Sequence, residues 1–325
     1  MSACAPLPVV PRASKAQVLD VTLPHSELWR HFEIHKLTEN MRIKQAAAEG
    51  ADTAELQRFA DFLLGLGDGS TNDAEGCVTL PDEMCLPEGA DIAALTTWVY
   101  PDLMNNCSDI NWLSERAILT PLNTVVDEIN RDLGDAFPGA AWDCPSADHV
   151  AEADACAVSV EFLNTLNPPN FPAHRLKLKK GMPLMLLRNL SPPDGLCNGT
   201  RLILHEVING HLLHCQIATK GKHLGDFVFI PRLTLDADKD AFPFSWSRRQ
   251  FPVRVAFAMT INKAQGQTLK CVGVYLPQPV FSHGQLYVAA SRVGLPSRIR
   301  FAVARNDAAG AYRTRNVVYP EALTS

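Results

Sequence analysis

The chain has 325 residues, 46% of them hydrophobic and 20% charged, which excludes a disordered polymer and allows two domains with a sizeable core. No apolar run approaches the roughly 20 residues of a membrane span, and Met1–Arg12 has no basic region ahead of an apolar stretch, so neither a span nor a signal peptide is expected. The net charge of −5 hides an asymmetry: residues 1–170 hold 9 Lys/Arg against 27 Asp/Glu, a net of −18, while residues 171–305 hold 19 against 6, a net of +13. A stretch this basic suits a phosphate-rich partner, although a solvated basic face reads the same way from charge alone. The nine cysteines include no C-x-x-C pair, which suggests reduced thiols in an intracellular protein; no targeting signal is seen, and a nuclear location is the expectation if the source is eukaryotic. Cys77 and Cys85 share one predicted loop, which leaves a metal or a disulfide open there.

In chain order, Ser26–Phe32 reads as a short helix and Glu33–Leu37 as a strand. Thr53–Leu66 reads as an amphipathic helix, with Thr53 as N-cap and Leu56, Phe59, Ala60, Leu63 and Leu64 at helical spacing. Residues 67–92 are acidic and rich in turn formers, so a surface loop is expected. Asp91–Tyr100 is a helix stopped by Pro101. Ala117–Thr120 reads as a buried strand, followed by a helix from Asn123 through Arg131. Strand then helix, twice over, fits an α/β layer with a parallel sheet. Residues 134–157 read as loop.

From Arg175 to Leu235 the pattern changes to short strands: Pro183–Leu187, Thr200–Val207, Leu212–Ala218 and Asp226–Pro231. The separators include Ser191-Pro-Pro-Asp-Gly195, Asn198-Gly199 and Asn209-Gly210, and Asn-Gly signals a type I′ hairpin. A small antiparallel barrel of about five strands is expected. Val253–Met259 and Val272–Leu276 then resume the strand pattern of the α/β domain, and a helix follows at Gly284–Ala290. The barrel therefore reads as an insertion.

Eight stretches in order resemble one family. They are Leu7-Pro-Val-Val-Pro-Arg12, Leu37-Thr-Glu-Asn-Met-Arg42, Thr120-Pro-Leu-Asn-x-x-Val-Asp-Glu-Ile-Asn130, Gly181-Met-Pro-Leu-Met-Leu-Leu-Arg-Asn189, Leu196-Cys-Asn-Gly-Thr-Arg201 and Arg249-Gln-Phe-Pro-Val253. The last two are Phe257-Ala-Met-Thr-Ile-Asn-Lys-Ala-Gln-Gly-Gln-Thr268 and Gly284-Gln-Leu-Tyr-Val-Ala-Ala-Ser-Arg-Val293. From about Leu7 to Val303 the chain is similar to the petite-integration-frequency (PIF) helicases of superfamily 1, including those of Helitron transposons. The last two stretches look like the fifth and sixth helicase motifs.

The resemblance implies the second RecA-like domain of a P-loop NTPase fold over residues 37–170 and 251–305. It implies an inserted SH3-like β-barrel over 171–250, a remnant of the first RecA-like domain and linker over 1–36, and a tail over 306–325. The implied activity is ATP-dependent 5′–3′ DNA unwinding, with a place in DNA repair and recombination. Arg42 and Arg292 would face the γ-phosphate, where arginine's fixed fork suits phosphate oxygens. Gln265 and Gly266 would sense the nucleotide, with a structural turn as the other reading. DNA-backbone contacts are implied for Thr120, Asn123, Thr260, Asn262 and Lys263, because hydroxyls, amides and helix-end N–H groups suit phosphates. Thr120 and Asn123 also fit helix capping, and many members carry histidine where Asn262 stands. Lys177, Lys179, Lys180 and Arg188 would add electrostatic attraction or a solvated face. No base-stacking residue is identified.

Two departures stand out. Ala290 stands where the family usually has leucine, which hints at relaxed packing or relaxed selection. G-x-x-x-x-G-K-[ST] occurs nowhere; Gly65-Leu-Gly-Asp-Gly-Ser70 is glycine-rich but lacks the lysine. No apolar strand ends in the paired acids that hold Mg²⁺. ATP and Mg²⁺ therefore belong to the complete helicase, with none expected to bind this chain tightly alone, and a first RecA-like domain is required in cis or in trans. The partner expected is single-stranded or forked DNA. The competing reading is a non-enzymatic single-stranded DNA binding module or a transposon-derived remnant. A metal site at His211-Leu-Leu-His214-Cys215 has little support, because a strand points those side chains to alternate faces.

Overall fold

The computed structural model describes residues 7, 13–33, 35, 40–48, 53–150, 158–168, 171–237, 242–303 and 310–322. Helix α1 (Lys15–Asp20) opens on a capping box between Ser14 and Gln17. Two 3-10 turns, Leu23–His25 and Trp29–His31, replace the short helix expected over 26–32. So short a run carries too few apolar contacts to offset the cost of nucleating an α-helix. The strand expected over 33–37 falls mostly outside the described residues. Helix α2 (Met41–Ala48) precedes α3 (Ala54–Asp68), which ends on Gly69 in the left-handed region. Thr53 sits at the N-cap of α3 but makes no side-chain capping bond.

The predicted acidic loop contains strand β1 (Cys77–Thr79) and a 3-10 turn at Asp82–Met84, with Val78, Leu80 and Met84 buried. Cys77 and Cys85 are not joined in a disulfide. Next come α4 (Ile92–Val99), α5 (Leu103–Asn106), α6 (Ile110–Ser114), β2 (Arg116–Thr120) and α7 (Asn123–Ala136). The region expected as loop over 134–157 contains β3 (Ala141–Pro145) and β4 (Ala147–Val150). Then follow α8 (Val160–Thr165), β5 (Arg175–Lys179), β6 (Pro183–Leu186), β7 (Arg201–Ile208), β8 (Leu212–Ile217), β9 (Phe227–Pro231), β10 (Leu233–Asp236), β11 (Trp246–Gln250), β12 (Val253–Val255) and β13 (Ala258–Thr260). A 3-10 turn at Ile261–Ala264, β14 (Cys271–Tyr275), α9 (Gln285–Ala290), β15 (Ile299–Ala302) and β16 (Arg313–Arg315) complete the order.

The chain divides into two compact units, one of Met1–Val99, Ile118–Pro121 and Thr260–Ser325, the other of Tyr100–Ala117 and Leu122–Met259. A four-stranded sheet has the order β13-β2-β14-β15. In the first unit β14 and β15 run parallel, from Val272↔Ile299 to Tyr275↔Ala302, the arrangement that strand–helix alternation predicts. Helix α4 packs on β14. Gly273 makes that approach possible, since a Cβ there would stand 2.7 Å from Val99 Cγ2. The stretch expected as a tail supplies β16, antiparallel to β1. Asn316, buried just after it, donates to Leu66 O at 2.9 Å and to Asn72 Oδ1 at 2.9 Å.

The second unit is built on antiparallel pairing. Its five-stranded sheet has the order β12-β6-β7-β8-β9, beside a three-stranded sheet β10-β11-β4 and a ribbon β3-β5. The expected strands are present, but among the described residues the five-stranded sheet ends at β12 and β9 rather than closing on itself. One core joins it to the ribbon through Cys144, Leu178, Leu184, Leu204, Leu213 and Phe251. Asn209 and Gly210 between β7 and β8 have φ of 48° and 70°, the type I′ geometry that their dipeptide signals. A second cluster gathers Leu163, Ala237 and Trp246 around the ion pair of Arg248 with Asp148.

Candidate functional site

The sixth-motif helix α9 packs against the fifth-motif turn at Ile261–Ala264 in the first unit. Gln285 is buried at the start of α9, and its Nε2 donates to Asn262 Oδ1 at 2.9 Å. Its Oε1 accepts from the backbone N–H groups of Phe281 at 3.0 Å and Ser282 at 3.2 Å. The amide thereby ties the turn, the helix and the approach to the helix together.

Arg292 is half-buried, and its guanidinium spans the same two motifs. Nε donates to Val288 O at 2.7 Å, Nη1 to Ala264 O at 3.2 Å and Gln267 O at 3.0 Å, and Nη2 to Ser291 Oγ at 2.7 Å. The Leu269 N–H returns a bond to Arg292 O at 2.9 Å. The planar fork reaches carbonyls on both sides of the loop at once, which a lysine head cannot do.

Between those anchors Gln265 and Gly266 are exposed. Gly266 has φ +79°, and nothing lies within 4 Å of the place where a Cβ would stand. The backbone there is open to close approach, which fits a phosphate group of a nucleotide. Thr260 at the end of β13, Asn262 and Lys263 are half-buried around the same turn.

The remaining predicted residues are placed elsewhere. Arg42 falls in α2, but its side chain lies outside the described residues. Thr120 is fully buried at the end of β2 and Asn123 is exposed at the start of α7; Leu122 holds the N-cap position there, without a side-chain capping bond. In the second unit, Asn123 Oδ1 accepts from Arg254 Nη1 at 3.1 Å, and Arg254 also pairs with Asp127. Sequence reasoning named neither Gln285 nor Arg254. Gln285 sits inside a quoted motif, so its polar side chain at a helix start was the available signal. For Arg254 there was none, because its partners lie more than 120 residues away in sequence.

Two further family stretches serve the scaffold. Arg201 is buried, donating to Ser114 O at 2.7 Å and Ala256 O at 3.1 Å, and burial holds its pKa below the ordinary value. Gln250 is buried too; its Nε2 donates to Cys144 O at 2.8 Å and its Oε1 accepts from Arg232 Nη1 at 2.8 Å. Among the described residues no group of three or more His, Cys, Asp or Glu is placed to hold a metal ion, and no helix is long and apolar enough to cross a membrane.

Residues 5–76 match the PIF1-like helicase family and residues 161–207 match the 2B domain of the DNA helicase Pif1. Over these two stretches the chain is similar to Pif1-like helicases. It is 34% identical over 155 residues to the ATP-dependent DNA helicase PIF1 of Xenopus laevis, covering 46% of this chain and 22% of that protein. It is 36% identical over 149 residues to that of Homo sapiens, covering 44% of this chain and 22% of that protein. The chain thus matches less than a quarter of the length of these Pif1 relatives. The fold is that of solved Pif1 structures. The crystal structure of the Pif1 helicase from Candida albicans aligns with 98% of this chain and 65% of its own, at TM-score 0.58 and 20% identity. That of the Bacteroides Pif1 helicase in complex with ADP-AlF3 and ssDNA aligns with 98% and 62%, at 0.58 and 17%.

Proposed function

We propose that this chain forms one wall of the ATP site, and part of the DNA-binding surface, of an ATP-dependent DNA helicase of 5′–3′ polarity. The observation that carries the reading is a pair of anchors, Arg292 on Ala264 O and Gln267 O and Gln285 on Asn262, which hold an exposed Gln265-Gly266 turn beside the sixth-motif helix. Gln265, Gly266 and Arg292 would face the nucleotide's phosphates, with Arg42 completing the charge. Thr260, Asn262 and Lys263 would hold the DNA backbone, and Asn123, exposed at the head of α7 in the second unit, would add a contact of its own; Thr120, fully buried at the end of β2, has no surface to offer. ATP with Mg²⁺ supplies the free energy for unwinding in the complete helicase. This chain's residues orient the phosphates and couple the nucleotide turn to the DNA turn through Asn262, which Gln285 holds. The antiparallel core of the second unit is read as the small SH3-like barrel of the family's 2B domain, and the protein as a nuclear one if eukaryotic.

The test is DNA-stimulated ATP hydrolysis by the purified chain, alone and mixed with the first RecA-like domain of a PIF-family helicase. No turnover alone and turnover in the mixture is expected. Robust turnover by the chain alone, abolished by Arg292→Ala in a variant that keeps its circular dichroism, would overturn the need for a second domain.

The net charge of +13 over residues 171–305 favours a second reading, a single-stranded DNA binding module without hydrolysis, including one derived from a transposon. Fluorescence anisotropy at two salt concentrations separates this reading from a solvated basic face. Counterion release requires affinity to fall steeply with salt; absence of binding at low salt eliminates the module.

A further inference from the structure

The outer face of the five-stranded sheet carries a row of rings that the core does not use. On β8 and β9 the inward residues Leu213, Cys215 and Ile230 belong to the core. His214 and Phe229 are paired in register on the opposite face, as are Gln216 and Phe227. Phe227 and Phe229 are 57% and 55% exposed. The ring of His214 stacks on Phe229, with centroids 5.0 Å apart and planes 21° apart, and lies 5.2 Å from Phe227. His205, turned outward beside the bulge in β7, stands 5.1 Å from Phe227 and 5.6 Å from His214. The four rings form one continuous platform.

Two exposed phenylalanines on an edge strand invite aggregation and contribute nothing to the core, so a fold alone gives no reason for them. Lys220 and Lys222 are exposed in the loop that leads into β9, so two ammonium groups stand in the segment adjoining the platform. Flat rings on a strand that an exposed lysine-bearing loop leads into match the two halves of a nucleotide, a base with a π face and an anionic phosphate. An apolar peptide would match the rings and leave the lysines unused.

We propose that His205, His214, Phe227 and Phe229 stack the bases of single-stranded DNA while Lys220 and Lys222 attract its phosphates. The inference rests on the nucleic-acid reading above and adds a contact surface separate from the fifth and sixth motifs. Glu206, opposite His214 on the same face, repels the strand and limits its affinity.

Anisotropy of the full chain with a labelled oligothymidylate, and with a strand of equal length whose sugars carry no bases, tests it. The wild type binds the base-bearing strand more tightly. The double variant Phe227→Ala, Phe229→Ala weakens that strand by about 10-fold or more, the scale of one or two lost stacks, and leaves the abasic strand unchanged. Glu206→Gln tightens both strands. An unchanged far-UV circular dichroism spectrum confirms that the double variant folds, as expected for exposed side chains. Affinity of the folded double variant within twofold of wild type overturns the platform, as does equal weakening of both strands. A wild type that binds neither strand removes the nucleic-acid reading as well. Equal binding to both strands, weakened by Lys263→Ala, retains that reading and removes only the platform.

Discussion

Arg292 answers to two demands. The resemblance aims it at a nucleotide, and the structure gives its guanidinium four bonds within its own unit. Arg292→Lys keeps the charge and loses the fork, leaving the carbonyls of Ala264 and Gln267 without this donor. Urea denaturation is expected to show a loss of about 1–3 kcal/mol, the scale for a buried group deprived of its partner. A charge-only role leaves the midpoint unchanged. Ala290 tests packing in the same helix. It is completely buried, so the alanine that suggested relaxed packing sits in a closed core. Restoring the family's leucine overfills that space, and Ala290→Leu should lower stability by about 1–3 kcal/mol in a thermal melt. A gain in stability would show instead that the alanine leaves a void. Both residues were legible in the sequence as motif positions. Their bonding and burial were not: the partners of Arg292 lie 25 and 28 residues upstream, and the burial of Ala290 depends on the elements that pack on α9.

At the scale of elements, sequence periodicity served helices better than sheets. Helices α3, α4 and α7 carry their apolar stripe and their ends within one local window, and each stands close to where the pattern places it. Strands β1, β3 and β4 look like loop in the sequence because their partners are distant: Cys77 pairs with Arg315, Ala141 with Lys179 and Val150 with Trp246. A short strand has few residues with which to show alternation, and only the partner turns a polar run into a ladder. The ion pair between β11 and β4 is the clearest instance. Arg248 and Asp148 have no exposed side-chain surface; Nε donates at 2.8 Å and Nη2 at 2.6 Å, and the remaining donors reach Leu163 O, Leu166 O and Pro172 O. Asp148→Asn removes the countercharge from a buried cation. It should cost about 3–5 kcal/mol and open the region around α8 to limited proteolysis. Unaltered proteolysis would show that this pair is dispensable.

Over the whole molecule each unit has its own core, with Leu66, Leu95, Val272 and Phe301 in the first and Leu184, Leu204, Leu213 and Phe251 in the second. Cysteine reports on the second. Burial pushes the Cys215 thiol up to about 12 and raises that of Cys144, so neither forms thiolate near neutral pH. Because burial disfavours the charged form, raising the pH to 9 should not expose Cys215 to thiol reagents. It should label only as the second unit unfolds, at a rate that tracks urea; fast labelling in the native state would contradict the closed core.

The sequence by itself determined the resemblance to a helicase family, the parallel α/β pattern, the strand-rich middle and the residues of the two motifs, because these are written in short windows of periodicity and chemistry. Tertiary structure alone decided that Arg292 and Gln285 bind the motifs to each other, that Thr120 is buried while Gln265 and Gly266 face solvent, that the stretch after residue 305 supplies a strand, and that two phenylalanines remain outside the core. Each of these depends on which distant segment comes to lie alongside. A side chain's type is a local property, whereas its burial and its partners are set by the chain that packs against it.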